Sequence, residues 1–458
     1  MSTVAGSPSL PGAQSTSEVA KPVRQFRRNV LSSAGGNVVN IVLQLGLLYL
    51  LHETLTTAAY AMMLTATALI GVSEMASDYG SRLWATREFS FTARPVRILR
   101  LSAWCKVFYT IVSAAVLTLL PLNNLTLPIA LLCFAIASTQ PSTDPFLWYL
   151  RGRERLDVEA AIMLVSRTLA VTGMALAAWM QMSIPWLLTI WLLTNIGRMG
   201  FEATLSCVRP VFGDGTAEEA ANDRGRSMSS VSVVLREVFP VGTTLFLTSL
   251  FQRIGVLLLS IFATDLDVSV FGTAFRLVST AGFLSTSMFV SSFAALVRAI
   301  EINDVRSVGR IVRREMHLVS LVFVPACLLG ILFCIPLTRA LLPADMLPVA
   351  QAMVILCPGL YLSCINMGMK YTVNAWSLNW PDVVAVVIGI LIFADSIWMF
   401  SHISWSVGAA IGWGAGEGGV LLLRIALLRY AGKPSGVPVA SILMSTCVLV
   451  VAAFWAIH

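Results

Sequence analysis

Arg253 and Arg276 stand inside long apolar runs, in segments that follow one another along the chain. A guanidinium at the centre of a membrane helix costs about 2.5–3.5 kcal/mol on insertion scales, so it faces a cavity or a partner rather than lipid. With helices over Val231–Phe262 and Ser269–Ile300, Arg253 falls about 13 Å and Arg276 about 12 Å from the ends these segments share, at 1.5 Å per residue. Two antiparallel helices then bring two permanent positive charges to similar depth. Guanidinium grips phosphate oxygens through a two-pronged fork, so the pair suits a pyrophosphate, or another anion, entering a water-filled cleft. The competing arrangement pairs both arginines with Asp265 and Asp267. Those carboxylates lie several helical turns from Arg253, out of easy reach along the helix.

Other polar groups share the apolar runs. Arg167 has no acidic neighbour at helical spacing, whereas Arg198 has Glu202 four positions on, a spacing that favours a local ion pair. Asn37, Asn40 and Gln44 fall at i, i+3 and i+7 and form one polar stripe. The stripe suits either interhelical hydrogen bonds or a cavity wall for sugar hydroxyls. Glu417 sits in Gly412-Trp-Gly-Ala-Gly-Glu417-Gly-Gly419, with Arg424 seven residues later on roughly the same face. The glycines permit close helix packing. The acid is then either the ion-pair partner of Arg424 or a site for a coupling cation or proton. Asp78 and Arg82, four apart, bridge each other at a helix end; with Glu417 they are the candidate coupling or gating groups. Pro325, Pro358 and Gly359 interrupt the ninth and tenth apolar segments and allow kinks.

Only membrane helices are available to position these side chains. Apolar residues make up 57% of the 458-residue chain and charged residues 12%, against about a quarter charged in soluble domains. Mean hydropathy is +0.80. A transmembrane helix needs roughly 20 apolar residues, and thirteen segments qualify, from Val30–Leu51 to Val437–Ile457. Arginine fills alternate gaps: Arg82 to Arg100, Arg151-Gly-Arg153-Glu-Arg155, Arg209 to Arg226 and Arg298 to Arg314. The gaps His52–Thr57, Pro121–Leu127, Gln181–Pro185, Ala263–Val268 and Phe400–Ser404 hold neither Lys nor Arg. By the positive-inside rule this places the N-terminus in the cytoplasm of a multi-pass protein. The formal charge of +7 therefore speaks for retained loops and anionic lipid, not nucleic acid.

The sequence divides into a basic, disordered cytoplasmic tail over 1–28, an N-lobe of six helices over 29–207 and a linker over 208–230. A C-lobe of six helices over 231–429 and a thirteenth helix over 430–458 complete the chain. The two lobes echo each other. Thr57-Ala-Ala-Tyr60-Ala61 opens the second segment and Val268-Ser-Val-Phe271-Gly272 the eighth; Tyr60 to Arg87 and Phe271 to Arg298 have equal spacing. Parallel repeats related by an axis along the membrane normal are typical of transporters, with the substrate site between them near the midplane. The motifs of catalysis are missing. There is no GxxxxGK[ST] or HExxH, the four histidines are scattered, and no outward loop could house a transferase or ligase site. The eight cysteines lie in or beside apolar segments without CxxC spacing, which predicts buried thiols, no disulfide, no metal and no cofactor.

Several segments, in order, resemble the polysaccharide-exporter branch of the MOP superfamily, the Wzx-type O-antigen and exopolysaccharide flippases. They are Tyr60-Ala61 with Ser77-Asp78-Tyr79-Gly80 and Ala85-Thr-Arg87-Glu88; Leu150-Arg151-Gly152-Arg153-Glu154-Arg155; Gln252-Arg253-Ile254 through Phe271-Gly272-Thr-Ala274-Phe275-Arg276-Leu277; and Gly408-Ala-Ala410 through Glu417. The resemblance spans roughly 25–430. It implies an all-α fold of two six-helix lobes in a V around a central cationic cavity. It also implies a bacterial inner-membrane flippase for an undecaprenyl-pyrophosphate-linked oligosaccharide. On that reading Arg253, Arg276 and Arg167 hold the pyrophosphate, and Asn37, Asn40 and Gln44 line the sugar path. Partners are the lipid-linked oligosaccharide, membrane lipids and other polysaccharide-assembly membrane proteins. Two departures stand out: amides occupy the first helix where some relatives carry arginine, and thirteen helices replace twelve or fourteen. The rival readings are a multidrug or cation antiporter of the same superfamily, which favours central acids, and a polysaccharide polymerase or ligase, which needs a long catalytic outer loop.

Overall fold

Within hydrocarbon a chain must satisfy its own N–H and C=O groups, and helices do this residue by residue. In the computed structural model every regular element among the described residues is an α-helix. Those residues are 39, 42–81, 85, 101–102, 104–111, 126–152, 156–208, 231–282, 284–285, 288–289, 296–297, 299–300, 302, 304–341, 347–434 and 436–457. Helices α1 (42–54), α2 (Thr57–Asp78), α3 (104–111), α4 (Leu127–Gly152), α5 (Leu156–Trp179) and α6 (Ile184–Val208) form the first half. The second half holds α7 (Val231–Phe262), α8 (Asp265–Ala281), α9 (Val305–Leu341), α10 (Leu347–Ala375), α11 (Asn379–Phe400), α12 (Trp405–Tyr430) and α13 (Val439–Ile457). Each of these helices falls on one of the thirteen apolar segments. The eighth segment, expected as a single helix over Ser269–Ile300, breaks: α8 ends at Ala281 with Gly282 as C-cap, and further helical residues follow at 284–285, 288–289, 296–297 and 299–300. Eight of the described helices contain stretches long and apolar enough to cross a membrane. The chain is a multi-pass, all-helical membrane protein.

Helix boundaries depart from the apolar runs where polar residues continue a helix. Helix α9 begins at Val305, well before the apolar stretch, and its opening turns carry exposed Arg306, Arg310, Arg313 and Arg314. Asp304 starts it, accepting from the Ser307 backbone N–H at 3.0 Å and from the Ser307 hydroxyl. Those bonds hold its carboxyl below the usual carboxylate range. Helix α8 begins at Asp265, ahead of the apolar boundary, with Thr264 as N-cap; α2 is capped the same way by Thr56. Pro325 and Pro358 lie inside α9 and α10 without ending either helix. The expectation of uniformly buried thiols also needs correction. Cys447 lies on the exposed face of α13, where a thiol can meet lipid as readily as a methyl group does.

Helix α2 joins the halves. It packs on α4 in its own half and on α7 and α8 in the other. Near its start the Tyr60 hydroxyl meets the Thr273 hydroxyl of α8 at 2.8 Å, both buried. Leu64 fills the space above Gly272. At its far end Tyr79 turns into the left-handed region (φ 35°) and the chain turns at Gly80 (φ 78°). The Tyr79 hydroxyl meets Thr243 at 2.6 Å, and its ring stacks on Tyr109 of α3 at 4.8 Å. This junction closes only because α7 offers Gly242. A Cβ there would lie 2.7 Å from the Tyr79 carbonyl carbon and would strike its oxygen. Elsewhere α12 packs on α11 through Gly412 and Gly416, with no room for a Cβ beside Phe393, Gly389 and Phe251. The close packing expected of that glycine run is present, and α13 rests on α9 and α10.

Gly242→Ala should therefore lower the thermal midpoint of purified protein, at a cost of about 1–3 kcal/mol for overpacking. Gly46→Ala, whose Cβ meets nothing within 4 Å, should leave it unchanged or slightly raised. Equal midpoints for the two variants would refute the close α2–α7 junction.

Candidate functional site

Arg253 and Arg276 open into one cavity of about 270 Å³, bounded by α1, α2, α7 and α8. Its polar lining is Gln44, Thr67, Gln252, Arg253, Arg276, Ser279 and Thr280; the rest is Leu64, Ala68, Val256, Gly272 and Phe275. Among the described residues no carboxylate lines it. Arg253 Nη1 donates to the Ser249 hydroxyl at 2.7 Å, one turn back on α7, which fixes the side chain's direction. The guanidinium lies across Gly71 of α2, where a Cβ would stand 2.7 Å from Arg253 Cζ. Glu74, one turn further along α2, acts on Arg253 electrostatically. Arg276 Nη1 donates to Thr67 Oγ1 of α2 at 3.3 Å. Both arginines are half-buried, so each keeps N–H donors available to a guest.

Arg276 also borders a second, smaller cavity of about 50 Å³ with Gln44, Tyr60, Trp191 and Arg167. Arg253 and Arg167 both act on Arg276 as like charges. The fold thus gathers four groups singled out from the sequence: Gln44, Arg167, Arg253 and Arg276. Asn37, Asn40 and Arg82 lie outside the described residues. The competing pairing of the arginines with the α8 carboxylates is not what forms. Asp267 instead accepts from the Thr264 hydroxyl at 2.7 Å, the Ser404 hydroxyl at 2.9 Å and the Ser406 N–H at 3.1 Å. It ties the start of α8 to the start of α12. Arg198 and Glu202 make the local ion pair expected of them, at 2.9 Å and buried. Asp78 is buried at the end of α2 and accepts from the Ser81 hydroxyl through its carbonyl and carboxylate oxygens.

Glu417 requires a correction. It is not the hydrogen-bonded partner of Arg424, whose guanidinium takes Asp382 of α11 in a two-pronged pair at 2.6 and 3.2 Å. Asn366 of α10 stands between the two acids. Its Nδ2 donates to the Glu417 carboxylate at 2.7 Å and the Glu417 carbonyl at 2.6 Å. Its own oxygens receive Arg424 Nη1 at 3.0 and 3.2 Å. Lys370 reaches Thr248 of α7 at 3.5 Å and lines a small pocket with Glu417 and Arg424. Gln252 faces both that pocket and the arginine cavity. Sequence reading missed Asp382, Asn366 and Lys370 as a group. Asp382 follows a proline just ahead of an apolar run and reads as a loop residue; α11 starts at Asn379 and buries it completely.

An arginine closed on a buried carboxylate, as Arg424 is on Asp382, behaves differently from a cavity-facing arginine. Asp382→Ala should cost about 3–5 kcal/mol, because it strands a buried guanidinium. The double variant Asp382→Leu/Arg424→Met should lose clearly less than either single change. Thermal midpoints from fluorescence-detected size exclusion would decide this, and additive losses would argue against a closed pair.

No family model and no curated protein matches the chain. Solved structures do. A mutant of the Vibrio cholerae MATE transporter VcmN superposes with a TM-score of 0.58 at 14% identity, covering 91% of this chain and 99% of that one. The lipid II flippase MurJ in an inward closed conformation gives 0.57 at 13% identity, covering 93% and 91%. A MOP superfamily transporter from Pyrococcus furiosus, described as having a binding pocket of reversed polarity, gives 0.56 at 15%, covering 93% and 96%. At these identities the likeness is one of fold. The chain has the two-lobed helical fold of MOP superfamily transporters.

Proposed function

We propose that this protein is a flippase that carries an undecaprenyl-pyrophosphate-linked oligosaccharide from the inner to the outer leaflet of a bacterial inner membrane. It works by alternating access and serves surface polysaccharide assembly. The observation that carries the reading is the cavity between the halves, whose described lining presents two arginines and no acid. Charge of that sign attracts a diphosphate and disfavours a cationic drug. Arg253 and Arg276 would hold the pyrophosphate, with Arg167 adding charge from the adjoining cavity. Gln44 and its stripe partners Asn37 and Asn40 would face the sugars. The prenyl tail would remain in lipid through a gap between helices. The N-terminus would be cytoplasmic, and neighbouring polysaccharide-assembly proteins of the same membrane would supply and receive the glycolipid. The lobes would follow the boundaries 29–207 and 231–429, joined by the linker 208–230, with the tail 1–28 before them and the extra helix 430–458 after. The fold shared with the lipid II flippase MurJ supports transport of a lipid-linked substrate.

The MATE neighbours support a second reading, a multidrug or cation antiporter. Glu417 is the buried acid on which such coupling would rely. It lies beside Arg424 and Lys370, a setting that compensates its charge and leaves little call for a bound cation. Asp78 and Arg82 would then act in gating at the end of α2 under either reading.

Arg253→Ala and Arg276→Ala should each reduce glycolipid translocation at least about thirtyfold, the equivalent of the 2 kcal/mol lower bound for truncating a buried charge contact. Surface polysaccharide should disappear while protein level stays constant. Lys at either position should restore only part, since a point charge lacks the fork. Arg167→Ala should have a smaller effect. Normal polysaccharide in both alanine variants, with loss of drug resistance in Glu417→Gln, would favour the antiporter.

A further inference from the structure

Both cavity arginines belong to the second half, yet each rests on the first. Arg276 reaches Thr67 and Arg253 crosses Gly71, one turn apart on the same face of α2, with Glu74 on the next turn. We propose that this arginine pair is also the catch that holds the two lobes together at mid-depth, and that anion binding releases it. The inference rests on the anion-site reading above and adds its regulation.

Three observations support it. The Arg276–Thr67 contact, at 3.3 Å, is long beside the about 2.7–2.9 Å of a good charge-assisted bond, so a phosphate oxygen can outcompete it. The intralobe bond from Arg253 to Ser249, at 2.7 Å, is short and survives movement of α2. Finally, Arg253 and Arg167 each act on Arg276 as like charges, and Glu74 acts on Arg253 as the opposing charge. A diphosphate supplies that compensation from within the cavity and makes contact with α2 unnecessary. A ligand shifts a two-state equilibrium by its differential affinity for the states. An anion that binds the arginines better when they are free of Thr67 and Gly71 therefore opens the joint between the lobes. Occupancy is thereby linked to the movement that transport requires, and an empty carrier stays shut.

A built-in ruler exists for the test. A Cβ on Gly272 of α8 would stand 3.6 Å from Leu64 Cβ of α2, within the about 3.5–4.5 Å of a disulfide. The full-length Leu64→Cys/Gly272→Cys protein would be oxidised briefly with and without farnesyl pyrophosphate. The linked peptide would be quantified by mass spectrometry and probe binding measured in parallel. Binding together with a fall of about fivefold or more in linkage rate is the expected result. Binding with an unchanged or faster linkage rate overturns the catch and leaves the anion site standing. Absence of binding overturns both. Thr67→Val keeps the side chain's shape and removes the hydroxyl. It should slow linkage without probe and tighten farnesyl pyrophosphate binding by about threefold, because no contact has to be surrendered first. A merely structural role would weaken binding or leave it alone, and either result in Thr67→Val counts against the catch.

Discussion

Positive charge below the membrane surface must be answered by something, and the kind of answer separates scaffold from site in this protein. Arg424 is answered completely: Asp382 takes one edge of its guanidinium and Asn366 another. Arg198 is answered by Glu202 one turn away on the same helix. Arg253 and Arg276 donate to hydroxyls and to the Ser249 carbonyl, and Arg253 also lies in a glycine notch near the opposing charge of Glu74. Arg424 ties α12 to α10 and α11, and Arg198 is neutralised within α6. The other two have donors left over, and a cavity lies in front of them. The same side chain serves opposite purposes, and the completeness of its partners distinguishes them.

That contrast depends on how α2 is packed. A helix that touches both halves must approach its neighbours closely without its own side chains filling the space between them. Gly71 on α2, Gly242 on α7 and Gly272 on α8 provide the close approaches. Tyr60 pins one end through its hydroxyl, and Tyr79 the other through its hydroxyl and through ring packing on Tyr109, Phe239 and Phe246. The junction combines these hydroxyl contacts with apolar packing, Leu64 on Gly272 and the Tyr79 ring on Phe239 and Phe246. The second half is knitted together by glycine-seated aromatic packing around Phe393 and Trp413.

Much of this was legible from residue order. The apolar segments are helical wherever they are described, because a 20-residue apolar run has little choice in lipid, although the eighth breaks after Ala281. The arginines of α7 and α8 were expected at matching depth, and helical rise made that arithmetic possible. The Arg198–Glu202 pair followed from i, i+4 spacing, which is local and needs no tertiary information. Reading failed where spacing along one helix competed with contacts between helices. Glu417 and Arg424 looked like partners on one face of α12. Asp382 lies 42 positions from Arg424, and no periodicity could have named it.

By itself, the sequence determined what kind of molecule this is: all-helical, multi-pass and burdened with arginine at depths where arginine is expensive. Local physics suffices for those properties, since hydropathy and helical rise act residue by residue. Only the tertiary structure decided which arginines are neutralised and which face a cavity. It also decided that Gln44 and Arg167 of the first half share that neighbourhood with Arg253 and Arg276 of the second. The reason is geometric: a charge's environment inside a membrane is set by side chains from other helices, and their approach depends on where glycines and small hydroxyls fall in three dimensions.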